Sequence, residues 1–313
     1  LWGWTTVLGS LIFDGGDILI ERTTASLKEA RLLASLCAAA TFASGWILAH
    51  VGHGAMLEQD MPRVLMWLGS RYEHLIMRAI NFLAMREFIY RNPTLKRMTD
   101  WISDKVMSVT NGEVLCLAEA QEMTASIAEA GYTIATGTCP CRRARNDISD
   151  TVPNNTDMVF GEWAETYLVN YPGLYKRLEA QEAQDLLEDF DRHGFIHQVY
   201  GFRGKEGAAY VMCNCDPSVC IPLLAQKTRG LQSFRQGRSI AVVAGDACLG
   251  IEECGACIER CPFDARSERG GKSVADPEAC FGCGVCVVSC RGKATTLERK
   301  QDARLVYARP FVE

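Results

Sequence analysis

The sequence predicts an α+β chain in three parts: an N-terminal all-helical region over residues 1–112, a central α/β metal-binding domain over 113–235, and a compact C-terminal domain over 236–313. Three observations carry this expectation. Apolar residues recur at helical spacing through the first third, and short β-branched and aromatic runs mark the middle. Cysteine is concentrated toward the C-terminus: of 15 in 313 residues, two precede residue 139, five lie from Cys139 to Cys220, and eight lie within the 43 residues from Cys248 to Cys290. A chain of this length buries a full core without disulfide staples, and an odd count fits poorly with a fully paired framework. Clustered thiols at short spacing point instead to metal ligation.

Composition narrows the function classes. Apolar content of 48% and charged content of 23% are those of a globular protein. The net charge is −5, and residues 236–313 hold 11 acidic and 11 basic side chains, so the acidic excess lies in 1–235. No basic excess marks a nucleic-acid binder. Neither a Gly-x-Gly-x-x-Gly fingerprint nor a P-loop occurs, so no nucleotide cofactor is expected. No signal-peptide pattern opens the sequence.

The helical region begins with an uncharged run over residues 1–13 that is too short to span a bilayer, followed by an Asp14-Gly15-Gly16-Asp17 turn. Ser26 and Glu29 form a capping-box pattern for a helix with Leu32, Leu36, Ala40, Ala43 and Ile47 on one stripe. Leu32 to Leu57 is a stretch of 26 residues without Asp, Glu, Lys or Arg, long enough to span a membrane. Arg22, Lys28 and Arg31 before it, with Glu58 and Asp60 after it, would place a single span so that every later cysteine lies outside the cytoplasm. Thiols tend to oxidise there. A buried or partner-docking helix in a cytoplasmic protein is therefore expected, with membrane contact through 32–57 as the alternative. A second helix is expected from near Met61-Pro62 to Leu83, and a third from Pro93 to Val109.

In the middle region, 118–129, 162–171 and 179–192 read as helices. Tyr132–Thr138 reads as a strand delivering Cys139-Pro140-Cys141-Arg142-Arg143, and a polar loop surrounds Pro153-Asn154-Asn155. Phe195–Tyr200 alternates as a strand, Tyr210–Met212 runs into Cys213-Asn214-Cys215, and Arg229–Arg238 is the linker candidate.

The last domain carries the most specific pattern: Cys280-x2-Cys283-x2-Cys286-x3-Cys290, preceded by Cys254-x2-Cys257-x3-Cys261-Pro262. Thiolates are soft ligands suited to iron–sulfur clusters, and tight spacing lets three of them wrap one face of a cubane. Residues 240–300 closely resemble the two-[4Fe-4S] ferredoxin domain of bacterial proteins, so a ferredoxin-like fold is expected here. The resemblance implies one [4Fe-4S] cluster on Cys280, Cys283 and Cys286 with Cys261 crossing over, and another on Cys254 and Cys257 with Cys290 crossing over. Cys248 is the candidate for the remaining thiolate, although Leu249–Glu253 separates it from Cys254 by five residues instead of two. Arg291 stands where the first run has Pro262. Structural zinc on the same two sets is the competing account.

Cys139, Cys141, Cys213, Cys215 and Cys220 remain as a third metal site. The sequence favours Cys139, Cys141, Cys213 and Cys215, with Cys220 as the competing ligand. Cys139-Pro140-Cys141-Arg142, Gly194-Phe195-Ile196-His197-Gln198 and Cys213-Asn214-Cys215 are similar to elements of iron–sulfur proteins of anaerobic prokaryotes that precede a two-cluster ferredoxin domain. That resemblance implies a third [4Fe-4S] cluster; zinc and unmetallated thiols stay open, since Asp216, Pro217 and Ser218 stand where such relatives carry more cysteines. Arg142, Arg143 and Arg145 either raise the potential of an anionic cluster or form a solvated face. His197 is expected as a hydrogen-bonded strand histidine, His50 and His53 as helix-end residues, and Cys37 and Cys116 as buried thiols.

The function expected is an iron–sulfur electron-transfer protein, a subunit of a larger oxidoreductase complex, relaying single electrons through [4Fe-4S] clusters between catalytic or donor and acceptor protein subunits. The alternative is an iron–sulfur reductase whose central cluster is catalytic and is fed by the ferredoxin module. A zinc-stabilised, non-redox scaffold is the third account.

Overall fold

The computed structural model describes residues 63–110, 112–204 and 207–300. The chain divides into two compact units, Leu1–Gly54 and Ala55–Glu313, and every described residue belongs to the second. The capping box at Ser26, the uncharged stretch 32–57, Cys37, His50 and His53 lie outside the described residues. Among the described residues no helix is long and apolar enough to cross a membrane.

Helix α1 spans Arg63–Met85, α2 Glu87–Arg91 and α3 Pro93–Thr110. The first and third fall where the apolar stripes place them. The short α2 is an extra turn between them, ended by Asn92, whose Oδ1 accepts the backbone N–H groups of Thr94 and Leu95 to open α3. Such a side-chain acceptor satisfies amides that the first helical turn leaves orphaned.

The central layer is a six-stranded sheet in the order β1-β5-β6-β3-β2-β4, with β1 at Glu113–Leu115, β2 at Ile134–Gly137, β3 at Asp157–Gly161, β4 at Tyr175–Leu178, β5 at Ile196–Gly204 and β6 at Gly207–Cys215. Every pairing in it is antiparallel. The chain therefore combines helices with antiparallel sheet, and the α/β label expected for the middle region is corrected to α+β, because parallel strands would need crossover helices that this order does not use.

Alternation along the strands explains two-sided burial. Ile134, Met158, Phe160, Tyr210 and Met212 face one core with Met123 and Ile127 of α4 (Leu117–Glu129) and Leu187 and Phe190 of α7 (Ala180–Arg192). Ala135, Val159 and Val211, the intervening residues, face the opposite core with Trp163, Ala164 and Tyr167 of α6 (Glu162–Asn170). Period-2 patterning that is apolar at both phases marks strands covered on both sides. The second face also receives α1, which packs on α6, on α5 (Pro140–Arg145) and on α8 (Ile221–Arg229).

Four central elements, β1, β3, β4 and α8, escaped the sequence reading. β3 follows the polar Pro153-Asn154-Asn155 loop directly, β1 and β4 are short, and α8 lies within the stretch that follows Cys220.

The C-terminal part contains β7 (Ser239–Val243) paired with β10 (Thr295–Arg299), and the hairpin β8 (Arg266–Arg269) with β9 (Lys272–Ala275). Helices α9 (Ala256–Glu259) and α10 (Val285–Val288) complete it. The expected linker is irregular over residues 230–234, yet it is pinned: Phe234 is fully buried, Arg235 exchanges backbone hydrogen bonds with Val114 and Gly112, and Gly237 N donates to Phe281 O. Arg238, also buried, lies between Glu119 at 3.7 Å and Glu113 at 4.0 Å. The C-terminal part thus meets the sheet edge at β1 through packing and charge together.

Candidate metal centre

The C-terminal part is a structural repeat with an offset of 29 residues. Gly255 and Gly284 each open a four-residue helix from the left-handed region, at φ 63° and 83°. Each helix carries the next cysteine, Cys257 or Cys286, and is followed by Cys261 or Cys290. Asp264 and Lys293 take positive φ values of 54° and 52° in turn. The residue after each then donates its backbone N–H back to sulfur: Ala265 N to Cys261 Sγ at 3.3 Å, and Ala294 N to Cys290 Sγ at 3.1 Å. Amide donors aimed at thiolate sulfur stabilise its negative charge. The offset places Ile251, not a cysteine, where the second half has Cys280.

The repeat builds two cavities of nearly equal empty volume, about 340 and 330 Å³ including the part open to solvent. The outer one is lined by Cys248, Cys254, Cys257 and Cys290, and the inner one by Cys261, Cys280, Cys283 and Cys286. Cys261 and Cys290 therefore each line the cavity of the opposite half. Cys248, despite the longer spacing, lines the outer cavity, with Ile251 beside it. No His, Asp or Glu lines either cavity. Further polar contacts reach the sulfurs: Ala241 N donates to Cys280 Sγ at 3.4 Å, Arg291 Nε to Cys254 Sγ at 3.5 Å, and Cys257 Sγ to Ser273 Oγ at 3.1 Å. The arginine that replaces the expected proline is thus turned onto a site thiol.

The two sets differ in environment. Cys248, Cys254 and Cys290 of the outer set are part-exposed, whereas Cys280, Cys283 and Cys286 of the inner set are buried. Burial pushes the Cys286 thiol up to about 11 and Cys283 higher still. The Ser273 and Gly250 backbone N–H groups lower Cys248, and the Arg291 guanidinium lowers Cys254.

Four soft sulfur donors around a cavity, with backbone donors on the sulfurs, suit the donor requirement of a [4Fe-4S] cluster. Among the described residues no group of three or more His, Cys, Asp or Glu side chains is placed to hold a single metal ion. The thiol sets surround space rather than converge on a point.

The five central cysteines come together from three segments. β2 leads into Cys139 and Cys141 at the start of α5, β6 ends on Cys213 and Cys215, and Cys220 caps α8. Neighbouring thiols are close enough to shift one another's ionisation in series, Cys139 with Cys141, Cys141 with Cys220, Cys220 with Cys215 and Cys215 with Cys213. Cys220, named as the competing ligand, sits mid-series and is 3% exposed. Hydrogen bonds from Cys141 and Cys215 lower its thiol to about 6. Cys213, at the end of the series, also reaches Asp157 Oδ1 at 3.6 Å.

The residues that flank these thiols each have a partner of their own. Arg142 is buried and ion-paired to Asp216, so it is neither a solvated side chain nor a free charge beside the thiols. Arg145 Nη1 donates to Val219 O at 3.2 Å, and the Arg143 guanidinium lies 5.0 Å from the Tyr171 ring centroid. His197 Nδ1 bonds Asn214 Oδ1 at 2.6 Å on the paired strands β5 and β6, and burial pushes the ring down to about 4. Cys116 is a buried thiol that caps α4.

A group of acids and phenols beside Cys213 was not expected from the sequence. Asp157 is buried and accepts a hydrogen bond from Tyr175 OH; Glu73, on α1, lies near enough to Tyr167 for the phenol to act on its ionisation. Burial lifts Asp157 to about 6 and Glu73 to about 8. Nothing in the local sequence signals it, because the members come from α1, β3, α6 and β4. The 29-residue repeat, by contrast, was open to discovery by aligning the two cysteine runs on their Cys-Gly-x-Cys cores.

No protein-family model matches the chain, and no curated protein sequence matches it.

Proposed function

We propose that this chain is an iron–sulfur electron-transfer protein, a subunit of a larger oxidoreductase, that relays single electrons through [4Fe-4S] clusters. The observation that carries this reading is the repeat of Cys-Gly-x-Cys turns that gathers eight thiols into two four-thiol cavities with reciprocal crossing of Cys261 and Cys290. When bound, [4Fe-4S] clusters supply one-electron carriers whose potential follows charge, hydrogen bonding and exposure. The chain's own residues supply the rest. Ala241, Ala265 and Ala294 present N–H groups to sulfur, Arg291 adds a positive charge at the outer set, and Phe281 and Phe263, stacked at 4.0 Å, shield the inner set from water.

The central thiols support a third cluster, held by Cys139, Cys141, Cys215 and Cys220. Cys213 is the spare, since its thiol has a carboxylate partner in Asp157. Partner subunits are expected as electron donor and acceptor. Phe88, Met98 and Trp101 on α2 and α3 are 57, 53 and 45% exposed, the kind of apolar surface a docked subunit covers.

The test is variant metal analysis on anaerobically purified chain. Cys254→Ala and Cys283→Ala are each expected to lower iron by about four atoms, and together by about eight. Unchanged iron in both removes the two-cavity reading.

A second reading, a reductase with the central centre as catalytic site, draws on the buried Asp157, Tyr175 and Tyr167 and the half-buried Glu73 beside the thiols. It expects cyanide to perturb the electron paramagnetic resonance (EPR) signal of the third centre by binding an open position. A relay with four thiolates leaves that signal unaltered.

A further inference from the structure

Two packed side-chain clusters connect the three thiol sets, and the inner set belongs to both. In one cluster Cys257 of the outer set packs with Cys280, Cys286 and Cys261 of the inner set around Ala241 and Ala265. In the other, Cys283 of the inner set packs with Cys215 and Cys220 of the central set, together with Val114, Ile196 and Phe234. No residue that lines the outer cavity belongs to the second cluster. Among the described residues, the outer and central sets therefore meet only through the inner one in this packing. Exposure sets the outer thiols apart: three of the four are part-exposed, whereas Cys280, Cys283 and Cys286 of the inner set and Cys141, Cys215 and Cys220 of the central set are buried.

We propose that the three thiol sets form one electron line in the order outer, inner, central, with Cys257 and Cys283 as its junctions and the central set as its buried terminus. This rests on the iron–sulfur reading of all three sets. A one-electron donor protein that docks at the outer thiols is oxidised by one electron. With clusters bound, that electron would pass the cluster held by the inner thiols and would be taken up by the one held by the central thiols, reducing it by one electron. The order gives the central thiols a redox role and separates them from a structural zinc site. The apolar packing around Cys283, including Phe234 against Phe263 at 5.7 Å, keeps water out of the second junction.

Pulsed EPR on the dithionite-reduced, full-length chain tests the order without any substitution. Three interacting signals are expected, and the outer–central separation is expected to be the longest of the three. Cys139→Ala/Cys215→Ala assigns the central signal and is expected to abolish one of the two interactions felt by the inner centre, leaving the outer–inner interaction intact. Cys248→Ala/Cys254→Ala is expected to leave the inner–central interaction in place. An outer centre closer to the central one than the inner centre is overturns the order. Iron near eight atoms per chain with only two signals removes the central terminus and leaves the two-cluster module standing. Absence of iron removes the reading beneath both.

Discussion

Arg142 Nη2 lies 2.5 Å from Asp216 Oδ2, and its side chain is 2% exposed. The pair ties the segment Cys139-Pro140-Cys141-Arg142 to the segment Cys213-Asn214-Cys215-Asp216, which lie more than 70 residues apart in sequence. Its second arm, Arg142 Nη1 to Asp147 O at 3.1 Å, closes the turn after α5. One cysteine pair follows β2 and the other ends β6; these strands flank β3 in one sheet, and the ion pair ties them together beyond the strand ends.

Removing one partner of a buried pair leaves the other desolvated, which is costly. Arg142→Met is expected to destabilise the chain by about 3 kcal/mol, the low end for such a loss because Asp216 keeps some solvent contact. Arg142→Lys is expected to recover only part of it, since a lysine cannot serve both Asp216 and the Asp147 carbonyl with one fork. Urea denaturation midpoints measure both, and an Arg142→Met midpoint equal to the parent's contradicts the latch.

The junction between the central sheet and the C-terminal part makes a sharper prediction at glycine. A Cβ on Gly237 would stand 2.1 Å from Val114 O and 3.0 Å from Phe281 O, both backbone atoms that cannot swing aside. Gly237→Ala is expected to cost ~1–3 kcal/mol by overpacking. Gly245→Ala, with nothing within 4 Å, is the matched control and is expected to be neutral. Equal thermal midpoints for the two variants would show that residues 230–238 are a loose linker after all.

Stability should depend on pH through three groups whose burial shifts them in opposing senses. Burial lifts Glu113 from 4.5 to about 7 and Asp191 from 3.8 to about 6. An acid whose folded value is raised contributes stability that is fully present below its ordinary value and is lost as pH rises through the folded one. His197 is depressed from 6.5 to about 4, so the folded state binds fewer protons there; its contribution is lost as pH falls from 6.5 toward 4. The windows overlap, so the His197 contribution offsets part of the acids' loss between pH 4.5 and 6.5, and the net change from these three groups is a fall in stability as pH rises to about 7. Glu113→Gln is expected to flatten that fall. An unchanged fall toward pH 7 in that variant would remove Glu113 as its source.

Ligand choice at the central site is testable one thiol at a time. Cys220 joins Cys141 to Cys215, while Cys213 ends the series against Asp157. Cys220→Ser is expected to lose about four iron atoms and Cys213→Ser to keep them. The reverse pattern restores the set favoured by sequence, in which Cys213 ligates and Cys220 is spare.

The sequence and the fold differ in instructive places. The second cysteine run was legible because each cysteine sits within a few residues of the next, so spacing alone encodes a loop. β2, β5 and β6 were legible because β-branched and aromatic residues deliver them. β3 was not: Asp157 and Gly161 flank three apolar residues, too few to show a period, and its buried acid is tolerated only because Tyr175 and Cys213 hydrogen-bond to it. Glu73 was invisible for another reason. On α1 it occupies a polar position of an ordinary amphipathic helix, and only the packing of α1 on α6 brings it to Tyr167. The arginine triplet read as a single feature, yet its three members have three separate partners, Asp216, the Tyr171 ring and Val219 O. Long-range partners of this kind leave no mark on local sequence.

The central claim is that eight C-terminal thiols hold two iron–sulfur clusters. Iron, zinc and acid-labile sulfide measured on the unmodified, anaerobically purified chain test it most directly. The account predicts iron and sulfide in equal amounts, about eight of each from the C-terminal cavities and about four more from the central thiols. Zinc at about one atom per four-thiol set, with no labile sulfide, would contradict it.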